Sequence, residues 1–370
     1  MRVMGAHQYR RWIQAGSLTA RVAAGALVVR RIAGVTNAPR PIRAAPDFVE
    51  PADITVIVPA RDEAERIGPL LDAIVGAPGL AEVVVVDDES TDATADIARA
   101  AGARVMAGEP KPDGWAGKAW ALQQGVEAAT TEWIVTLDAD TRPSPDLPRA
   151  LVARMLNDQL DLLTVGGRFE CPTGPTRWLH ASMLTTLVYR FGAPGADAAP
   201  ERTMANGQCM AFRRQPFLDA GSMTTVAAEV VEDLALARHL ANTGWNVKFL
   251  DAADLLTVRM FESLAGTWTG WGRSLALPGV SNRNVQLREL AMLALAQTLP
   301  IPRILLGKGD LIDVVLAAIR IGTLVGTRTS YDRTDSAYWL SPLADIASIT
   351  AIAKGIARRG NQTWRGRTYS

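Results

Sequence analysis

Short apolar runs alternate with amphipathic stretches from residue 54 to about residue 165, and this alternation constrains the fold most. The run at 54–59 (ITVIVP) and the run at 83–86 (VVVV) are almost continuously apolar. Such runs are typical of strands that are covered on both faces of a parallel sheet. The stretches between them, such as 61–75, repeat their apolar residues at helical spacing. The pattern therefore predicts an α/β fold with a doubly wound, mostly parallel, Rossmann-like sheet.

The individual elements follow from the same pattern. The predicted strands are 54–59, 83–86, 103–106, 133–137, 160–165 and 246–250, and the predicted helices are 61–75, 91–101, 117–129, 145–156, 176–191 and 229–242. The regular alternation ends at about residue 170.

Acidic residues follow three of the predicted strands. Glu63 comes after the first strand, Asp87 and Asp88 after the second, and Asp138 and Asp140 after the fourth. Ligands of such sheets bind at the carboxyl ends of the strands. An aspartate in this place can accept from the imino N–H of uracil or from ribose hydroxyls. Turns are often acidic, however, and capping of the following helix also explains the residues after Asp88.

Asp138 and Asp140 form an Asp-x-Asp pair at the end of a strand. Residues two apart in an extended chain face the same way, so both carboxylates can point at one place. They repel each other unless a proton or a cation lies between them. Mg²⁺ or Mn²⁺, with positions open to phosphate oxygens, suits such a pair. A solvated acidic turn ahead of two prolines is the alternative interpretation.

Two further groups of polar residues lie at predicted helix starts. Lys118 ends a GWAGK run that opens a helix, where backbone N–H groups and an ammonium suit a diphosphate. The run is not a P-loop, because Pro112 and Ala119 replace residues that the P-loop needs. Glu232 and Asp233 begin a later helix, where carboxylates are often merely favourable with the helix dipole.

Composition limits the partners and the compartment. The net charge is +1, so the overall field does not favour nucleic acid as a partner. Cys171 and Cys209 are the only cysteines in the sequence, which fits a reducing compartment. Hydrophobic residues make up 48% of the chain, a high share that suggests membrane contact.

Both ends of the chain differ from the middle. Residues 1–50 are basic, and 18–35 predicts an amphipathic helix on an anionic membrane surface or else a basic arm. Apolar runs at 290–306, 311–325 and 338–352 are interrupted by prolines or charges, and each is shorter than a clean spanning helix. We expect interfacial or re-entrant helices, or packed spans, with the charges of the middle run on one face.

Taken together, these motifs resemble glycosyltransferase family 2 of the GT-A fold. The matching pieces are IVPARDE at 57–63, DDESTD at 87–92, DAD at 138–140, NGQ at 206–208 with Arg213-Arg214, and Glu232-Asp233. GWAGKAWAL at 114–122 and WRGRTY at 364–369 are similar to the bacterial branch that glycosylates hopanoids and carotenoids. Asp62 and Glu89 depart from the family, which more often has Asn and Gly there. A side chain at Glu89 is expected to be tolerated if its φ is below zero.

The resemblance implies an inverting, metal-dependent glycosyltransferase. It implies a nucleotide-diphosphate-sugar donor, for which we expect a UDP-sugar, and a lipid-like acceptor such as a hopanoid, a carotenoid or another isoprenoid. Asp233 is expected to be the general base, with Glu232 and Arg273 beside it. The expected donor-binding residues are Pro59, Ala60, Glu63, Asp87, Asp88, Lys118, Asp138 and Asp140, the last two also holding Mg²⁺ or Mn²⁺.

The resemblance also implies an organisation. We expect a basic amphipathic segment at 1–50, a GT-A domain at 51–284, an apolar helical membrane-associated region at 285–355 and a basic tail at 356–370. The expected location is the bacterial cell membrane, with the catalytic domain on the cytoplasmic side. Other interpretations are transfer to a polysaccharide or a polyprenyl phosphate, and a catalytically silent nucleotide-binding membrane protein. An NAD-dependent oxidoreductase is a further interpretation, but this chain lacks the glycine fingerprint that such an enzyme carries after the first strand.

Overall fold

The structure is a computed structural model. It describes residues 6–34, 39–45, 53–196, 199–357, 362–364 and 367–369, with side chains described from residue 15 to residue 357 of those ranges. Parts of the predicted basic segment (1–5, 35–38 and 46–50) and of the predicted tail (358–361, 365, 366 and 370) lie outside the described residues.

The strands are β1 (Ile54–Ala60), β2 (Leu80–Asp87), β3 (Arg104–Ala107), β4 (Trp133–Leu137), β5 (Thr141–Pro143), β6 (Leu162–Gly166), β7 (Arg168–Glu170), β8 (Cys209–Arg213), β9 (Val247–Asp251), β10 (Leu256–Arg259), β11 (Gln362–Trp364) and β12 (Arg367–Tyr369). The helices are α1 (Ala6–Ile32), α2 (Ile67–Ile74), α3 (Thr94–Ala100), α4 (Gly117–Ala128), α5 (Leu147–Asp158), α6 (Gly174–Phe191), α7 (Arg214–Asp219), α8 (Glu232–Asn242), α9 (Leu264–Leu275), α10 (Arg283–Leu293), α11 (Pro300–Leu305), α12 (Leu311–Thr327), α13 (Ser336–Trp339) and α14 (Asp345–Ala357).

A seven-stranded sheet forms the centre, in the order β3-β2-β1-β4-β8-β6-β9. All neighbours pair in parallel except β8, which runs antiparallel between β4 and β6. The predicted α/β fold with a mostly parallel, Rossmann-like sheet is therefore confirmed. All six predicted strands exist, but β8 was not predicted, because its CMAFR sequence is short and lies where the alternation breaks down.

A second, three-stranded sheet of β5, β10 and β7 was also missed. β5 begins with Thr141, directly after the Asp-x-Asp pair, and pairs antiparallel with β10. Each of its strands has only three or four residues, too few for a readable period. This small sheet follows the carboxyl end of β4 and fixes the backbone that leaves the Asp-x-Asp pair.

Helices cover both faces of the large sheet. Apolar residues of α2 and α5 pack against one face, and those of α4 and α8 pack against the other. Helix α4 approaches β1 and β2 closely at Gly125, where a Cβ would lie 2.6 Å from Ile57 Cγ2 and 3.1 Å from Val86 Cγ2. This close approach places the first turn of α4, with Lys118, beside the end of β4.

Helix α1 packs with the C-terminal helices in a third apolar cluster that also includes α6 and α9. Arg21 Nη2 lies 2.6 Å from Asp310 Oδ2, and its Nη1 lies 2.6 Å from Asp313 Oδ1. Arg320 Nε lies 2.9 Å from Asp345 Oδ2, and both side chains are almost fully buried. Asp313 and Arg320 do share one face of α12, as predicted, and that face is turned into the protein.

The three predicted apolar runs form short helices. The first run contains α11 and a π-helical segment, Ala294–Thr298, and the others contain α12 and α13–α14. Among the described residues, we find no helix with both the length and the apolar character needed to cross a membrane.

The buried pair of Arg320 and Asp345 makes a stability prediction. Arg320→Met leaves the Asp345 carboxylate buried without its cation, which typically costs about 3–5 kcal/mol of unfolding free energy. Urea unfolding should show this loss, and Arg320→Met/Asp345→Leu should recover much of it. The exposed pair of Arg99 and Asp96, 2.8 Å apart, is the control: Arg99→Met should change the midpoint little. Equal effects of Arg320→Met and Arg99→Met would contradict the prediction.

Candidate active site

The Asp-x-Asp pair lies where β4 ends, next to the turn that enters β8. Asp138 N donates to Gln208 O at 3.0 Å, and Leu137 pairs with Cys209 across the antiparallel strands. The Asn206-Gly207-Gln208 turn is thereby held beside Asp138. Its main chain becomes part of the site, although the sequence indicated no role for it beyond the family motif.

The Lys118 ammonium connects three elements. Its Nζ lies 2.8 Å from Asp138 Oδ1 at the end of β4 and 3.1 Å from Glu232 Oε1 on the first turn of α8. It also donates to Gly207 O at 3.2 Å. Lys118 was predicted to meet a diphosphate directly. In this structure it meets two carboxylates and a carbonyl, an arrangement that sequence spacing does not reveal.

Asp233 is held by two backbone amides. Gly207 N donates to its Oδ2 at 2.6 Å, and Leu234 N donates to its Oδ1 at 2.8 Å. A Cβ on Gly207 would lie 2.9 Å from Asp233 Cβ and 3.1 Å from Lys118 Nζ. Glycine at position 207 therefore allows both charged groups to approach the same turn.

Burial and mutual charge shift the pKa values in this cluster. Burial raises the pKa of Asp138 to about 7, while Lys118 opposes the rise and Asp140 adds to it. Burial also raises the pKa of Asp233 to about 6, with the Glu232 charge adding to the rise and Lys118 opposing it. Burial works to lower the pKa of Lys118, but Asp138, Glu232 and Asp233 outweigh it and raise that pKa well above its usual value. Shifted carboxyl groups in a cavity are typical of active sites.

These residues line a cavity of about 400 Å³. Five of the predicted site residues meet there: Lys118, Asp138, Glu232, Asp233 and Arg273. Much of the remaining wall is apolar and includes Leu184, Leu187, Val188 and Phe191 of α6, Phe169, Phe249, Trp271, Leu275 and Leu277. The cavity thus combines a charged end with a long apolar wall.

Behind the aromatic part of this wall, the support from His180 was not predicted. His180 is fully buried, and its ring centroid lies 4.1 Å from that of Trp271 and 4.6 Å from that of Phe169. Its Nδ1 lies 2.7 Å from Tyr331 Oη, and burial lowers the pKa of His180 to about 3. A neutral histidine therefore supports the two cavity-lining rings. No local sequence signal joins these residues, which come from four separate segments.

The other predicted donor-binding residues do not line this cavity. Pro59 and Ala60 end β1, and Asp88 N donates to Ala60 O at 2.8 Å. Asp87 Oδ1 accepts from Ser90 N at 3.3 Å and braces the turn after β2. The Asp88 carboxylate lies 3.7 Å from Arg61 Nη1.

Glu63 joins the same edge, which is built from the ends of two neighbouring strands. Its N–H donates to Thr94 Oγ1 at 2.8 Å, and its Oε2 lies 3.7 Å from Arg66 Nη1. The predicted residues therefore form two groups. One lies at the ends of β1 and β2, and the other lines the cavity, with Asp140 next to it after β4.

The two departures from the family pattern both adopt left-handed backbone conformations. Asp62 has a φ of 51° and Glu89 a φ of 57°. The condition under which a side chain at Glu89 was expected to be tolerated, a φ below zero, is therefore not met. Aspartate tolerates this region better than most residues, and Asp62 Oδ1 accepts from Thr91 N at 2.8 Å. Unusual backbone angles of this kind cluster at functional sites.

Asp138 and Asp140 fit a partial metal site. Among the described residues there is no cluster of three or more His, Cys, Asp or Glu side chains that could hold an ion. Two carboxylates suffice for Mg²⁺ or Mn²⁺ when phosphate oxygens and water complete the shell. The Asp140 charge raises the pKa of Asp138, as expected for two neighbouring carboxylates with no cation between them.

Comparisons with known proteins concern the family and the fold of the chain. Residues 55–221 match the family model described as Glycosyl transferase family 2. Two relatives are 4,4'-diaponeurosporenoate glycosyltransferases of Staphylococcus aureus, 46% identical in strain N315 and 30% identical in strain MRSA252. Each match extends over 228 residues, 58% of this chain and 60% of the relative. The chain thus spans less than two thirds of the length of these curated relatives.

One solved structure extends over nearly the whole chain. It is a mannosyltransferase from Pyrobaculum calidifontis in complex with GDP-Man and Mn²⁺. The match covers 94% of this chain and 97% of the other, with 21% identity and a TM-score of 0.53. The two chains share a fold.

The carboxylate pair makes a testable metal prediction. Asp140→Asn removes one of two charged oxygen ligands, so we expect Mn²⁺ affinity to fall at least about tenfold. Electron paramagnetic resonance of free Mn²⁺, titrated in the presence of UDP or GDP, measures this. Asp251→Asn is the matched control, because Asp251 lines the same cavity at the end of β9, three strands away from β4. An unchanged Mn²⁺ affinity in Asp140→Asn would show that Asp140 is not a ligand of the metal ion.

Proposed function

We propose that the chain, whose residues 55–221 match the Glycosyl transferase family 2 model, transfers a sugar from a nucleotide-diphosphate-sugar to a lipid-like acceptor, with inversion at the anomeric carbon. The observation that carries this proposal is the charged end of the cavity. There, Asp233, a carboxylate with a raised pKa, contacts the same 206–208 turn as Lys118 and Asp138. A base and a cationic leaving-group site are what this reaction requires.

Asp233 is the general base in this proposal. It takes the proton of the acceptor hydroxyl while that oxygen bonds to the anomeric carbon from the face opposite the diphosphate. The bond from that carbon to the diphosphate oxygen breaks at the same time. The amides of Gly207 and Leu234 orient the Asp233 carboxylate, and Glu232 holds Lys118 from the other side.

Positive charge is needed where the diphosphate leaves. The cavity-lining Arg273 supplies it from the protein, and Lys118, which is paired with Asp138 and Glu232, would add to it if a divalent ion took over Asp138. A divalent ion held by Asp138 and Asp140 supplies further electrostatic stabilisation of the leaving diphosphate when bound. In support, the solved structure that shares this fold contains GDP-Man and Mn²⁺.

The edge formed by the ends of β1 and β2 is proposed to hold the nucleoside. Pro59, Ala60 and Glu63 form one side of it, and Asp87 and Asp88 form the other. Carboxylates here can accept from the imino N–H of uracil and from ribose hydroxyls, so a UDP-sugar is the proposed donor. The position of this edge, at the carboxyl ends of parallel strands, supports the assignment.

The acceptor is proposed to be an isoprenoid such as a carotenoid or a hopanoid. The apolar wall of the cavity offers little to hydrogen-bond a polysaccharide but can bury a hydrocarbon chain. The Staphylococcus aureus relatives are named after 4,4'-diaponeurosporenoate, a carotenoid acid. For such an acceptor, we propose a location at the bacterial cell membrane with the catalytic domain on the cytoplasmic side, where nucleotide-sugars occur.

Asp233→Asn tests the base. We expect kcat to fall by on the order of 10²-fold or more, because base catalysis is lost, while donor affinity stays near wild type. The assay is transfer from a panel of UDP- and GDP-sugars to a carotenoid or hopanoid acceptor that carries a hydroxyl group, at saturating Mn²⁺. A collapse of donor affinity with kcat unchanged would assign Asp233 to donor binding instead.

The pH profile of the wild type gives a second test. A base acts only when deprotonated, and the pKa of Asp233 is raised to about 6. We expect kcat/KM to be level above about pH 7 and to fall tenfold for each pH unit below pH 6. The residual activity of Asp233→Asn should lack this acid limb. Retention of the same limb in the variant would assign it to another group.

Gly207→Ala tests the turn that holds Asp233. The added methyl group would displace Asp233 or Lys118, so we expect at least a tenfold loss of kcat without loss of fold. Gly68→Ala is the matched control, because a Cβ at Gly68 meets nothing within 4 Å. Full activity in Gly207→Ala, measured with thermal unfolding of the same sample, would contradict the assigned geometry.

A further inference from the structure

We propose that an apolar face formed by α1, α11, α12 and the α13–α14 segment docks on an anionic lipid bilayer and lies in its interface. The exposed large side chains that define this apolar face are Leu18, Val22, Val29, Ile304, Leu305, Leu306, Leu311, Val314, Val315, Ile321, Val325, Trp339, Leu340, Leu343 and Ile346. The surface is separate from the catalytic machinery, and its docking does not depend on the transferase activity proposed above.

Helix α12 is inverted relative to a helix of a water-soluble protein. Its exposed positions are Leu311, Val314, Val315, Ala318, Ile321, Gly322, Val325 and Gly326, none of them charged or polar. Its two charged residues, Asp313 and Arg320, are completely buried. Surface helices normally point their charged residues outward, whereas helices in contact with lipid turn them inward.

The buried charges of α12 are neutralised inside the protein. Asp313 lies 2.6 Å from Arg21 Nη1 and 2.9 Å from Arg303 Nε. Arg320 binds Asp345 and also donates to Ser341 Oγ at 3.3 Å. Both charged side chains of α12 thus have their partners inside the protein, and the outer face of α12 is entirely apolar.

The neighbouring elements continue this surface. A Cβ on Gly25 would lie 2.8 Å from Leu316 Cδ2, so α1 runs directly beside α12. On the other side, the contact of Arg320 with Ser341 places the α13–α14 segment against the middle of α12. Both neighbours expose apolar side chains, including Val22 at 47% and Ile346 at 57%.

Exposed apolar surface is confined to one part of the chain. Among the described residues from 39 to 263, no large hydrophobic side chain reaches the exposure of those in the apolar face. Outside the face, only Leu264 and Leu287 do so in the described part of the chain. Extended apolar patches of this kind mark an interaction surface.

Charge around the apolar face selects a bilayer as the partner. All five carboxylates between residues 310 and 345 lie within 4.0 Å of an arginine: Asp310, Asp313, Asp332, Asp335 and Asp345. Lys308, Arg328 and Lys354 are exposed and form no ion pair with a described residue. An apolar face bordered by unpaired cations complements anionic lipid headgroups.

The length of α12 favours a helix that lies in the bilayer interface. Helix α12 has 17 residues, about 26 Å at 1.5 Å per residue. The helix also ends next to the cavity, since Thr327 and Ser330 line it. A bilayer on the apolar face would therefore meet the cavity at the end of α12.

Flotation with vesicles tests the proposal on the full chain. We expect the wild type to float with phosphatidylglycerol/phosphatidylcholine vesicles more than with phosphatidylcholine vesicles alone. Val315→Glu/Ile321→Glu should reduce vesicle binding at least tenfold, and the matched control Leu264→Glu/Leu287→Glu should bind like wild type. Circular dichroism verifies that both variants fold. Equal binding by a folded Val315→Glu/Ile321→Glu variant would overturn the proposal.

A fluorescent label distinguishes a bilayer from a second copy of the chain. Cys171 and Cys209 are buried, so a thiol-reactive, polarity-sensitive dye labels Val315→Cys selectively. We expect a blue shift of its emission on adding anionic vesicles and none for Leu264→Cys. A blue shift that instead grows with protein concentration in the absence of vesicles would show self-association through this face and overturn the proposal. Neither readout involves sugar transfer, so a failure here is distinguishable from failure of the proposed reaction.

Discussion

The site depends on one ammonium group. Lys118 Nζ contacts Asp138 and Glu232, carboxylates from two elements that are far apart in the sequence, and the carbonyl of Gly207. Without this cation, Asp138, Glu232 and Asp233 would have to be buried together as like charges, which costs several kcal/mol for each ion. Helix α4 can present Lys118 there because Gly125 lets it lie directly against β1 and β2. The close packing of α4 against the sheet is therefore also what places the cation that balances the carboxylates of the cavity.

The antiparallel strand β8 gives the sheet its chemical asymmetry. Its insertion between β4 and β6 brings the Asn206–Gln208 turn beside the carboxyl end of β4, where a purely parallel sheet would place only βα turns. Gly207 then serves two charged groups at once, with its amide on Asp233 and its carbonyl on Lys118. Backbone dipoles held this way need no reorganisation during a reaction, which suits a site where charge moves between base and leaving group.

Local patterns predicted much of the sheet and part of the site. Asp138 and Asp140 were identifiable because an i, i+2 pair after a buried strand leaves little freedom of direction. Glu232 and Asp233 were recognised through the family motif, and their contacts with Lys118 and Gly207 depend on β8, whose five residues carry no distinguishing period. The aromatic support behind Trp271 joins four segments through packing alone. In α12 the spacing of Asp313 and Arg320 predicted a shared face, but only their partners on α1 and α14 show that this face is buried.

The pairing of Arg21 with Asp310 and Asp313 makes α1 depend on a segment that is synthesised much later. The partners are 289 and 292 residues apart, so α1 emerges from the ribosome long before its counter-charges exist. Until then, α1 carries an apolar stripe and an arginine that has no buried partner. Contacts this distant in sequence form slowly, because a large loop must close first. The helical layer therefore cannot be completed until the segment around residue 310 has been synthesised, and chains truncated before residue 310 would expose α1 to aggregation or chaperone capture.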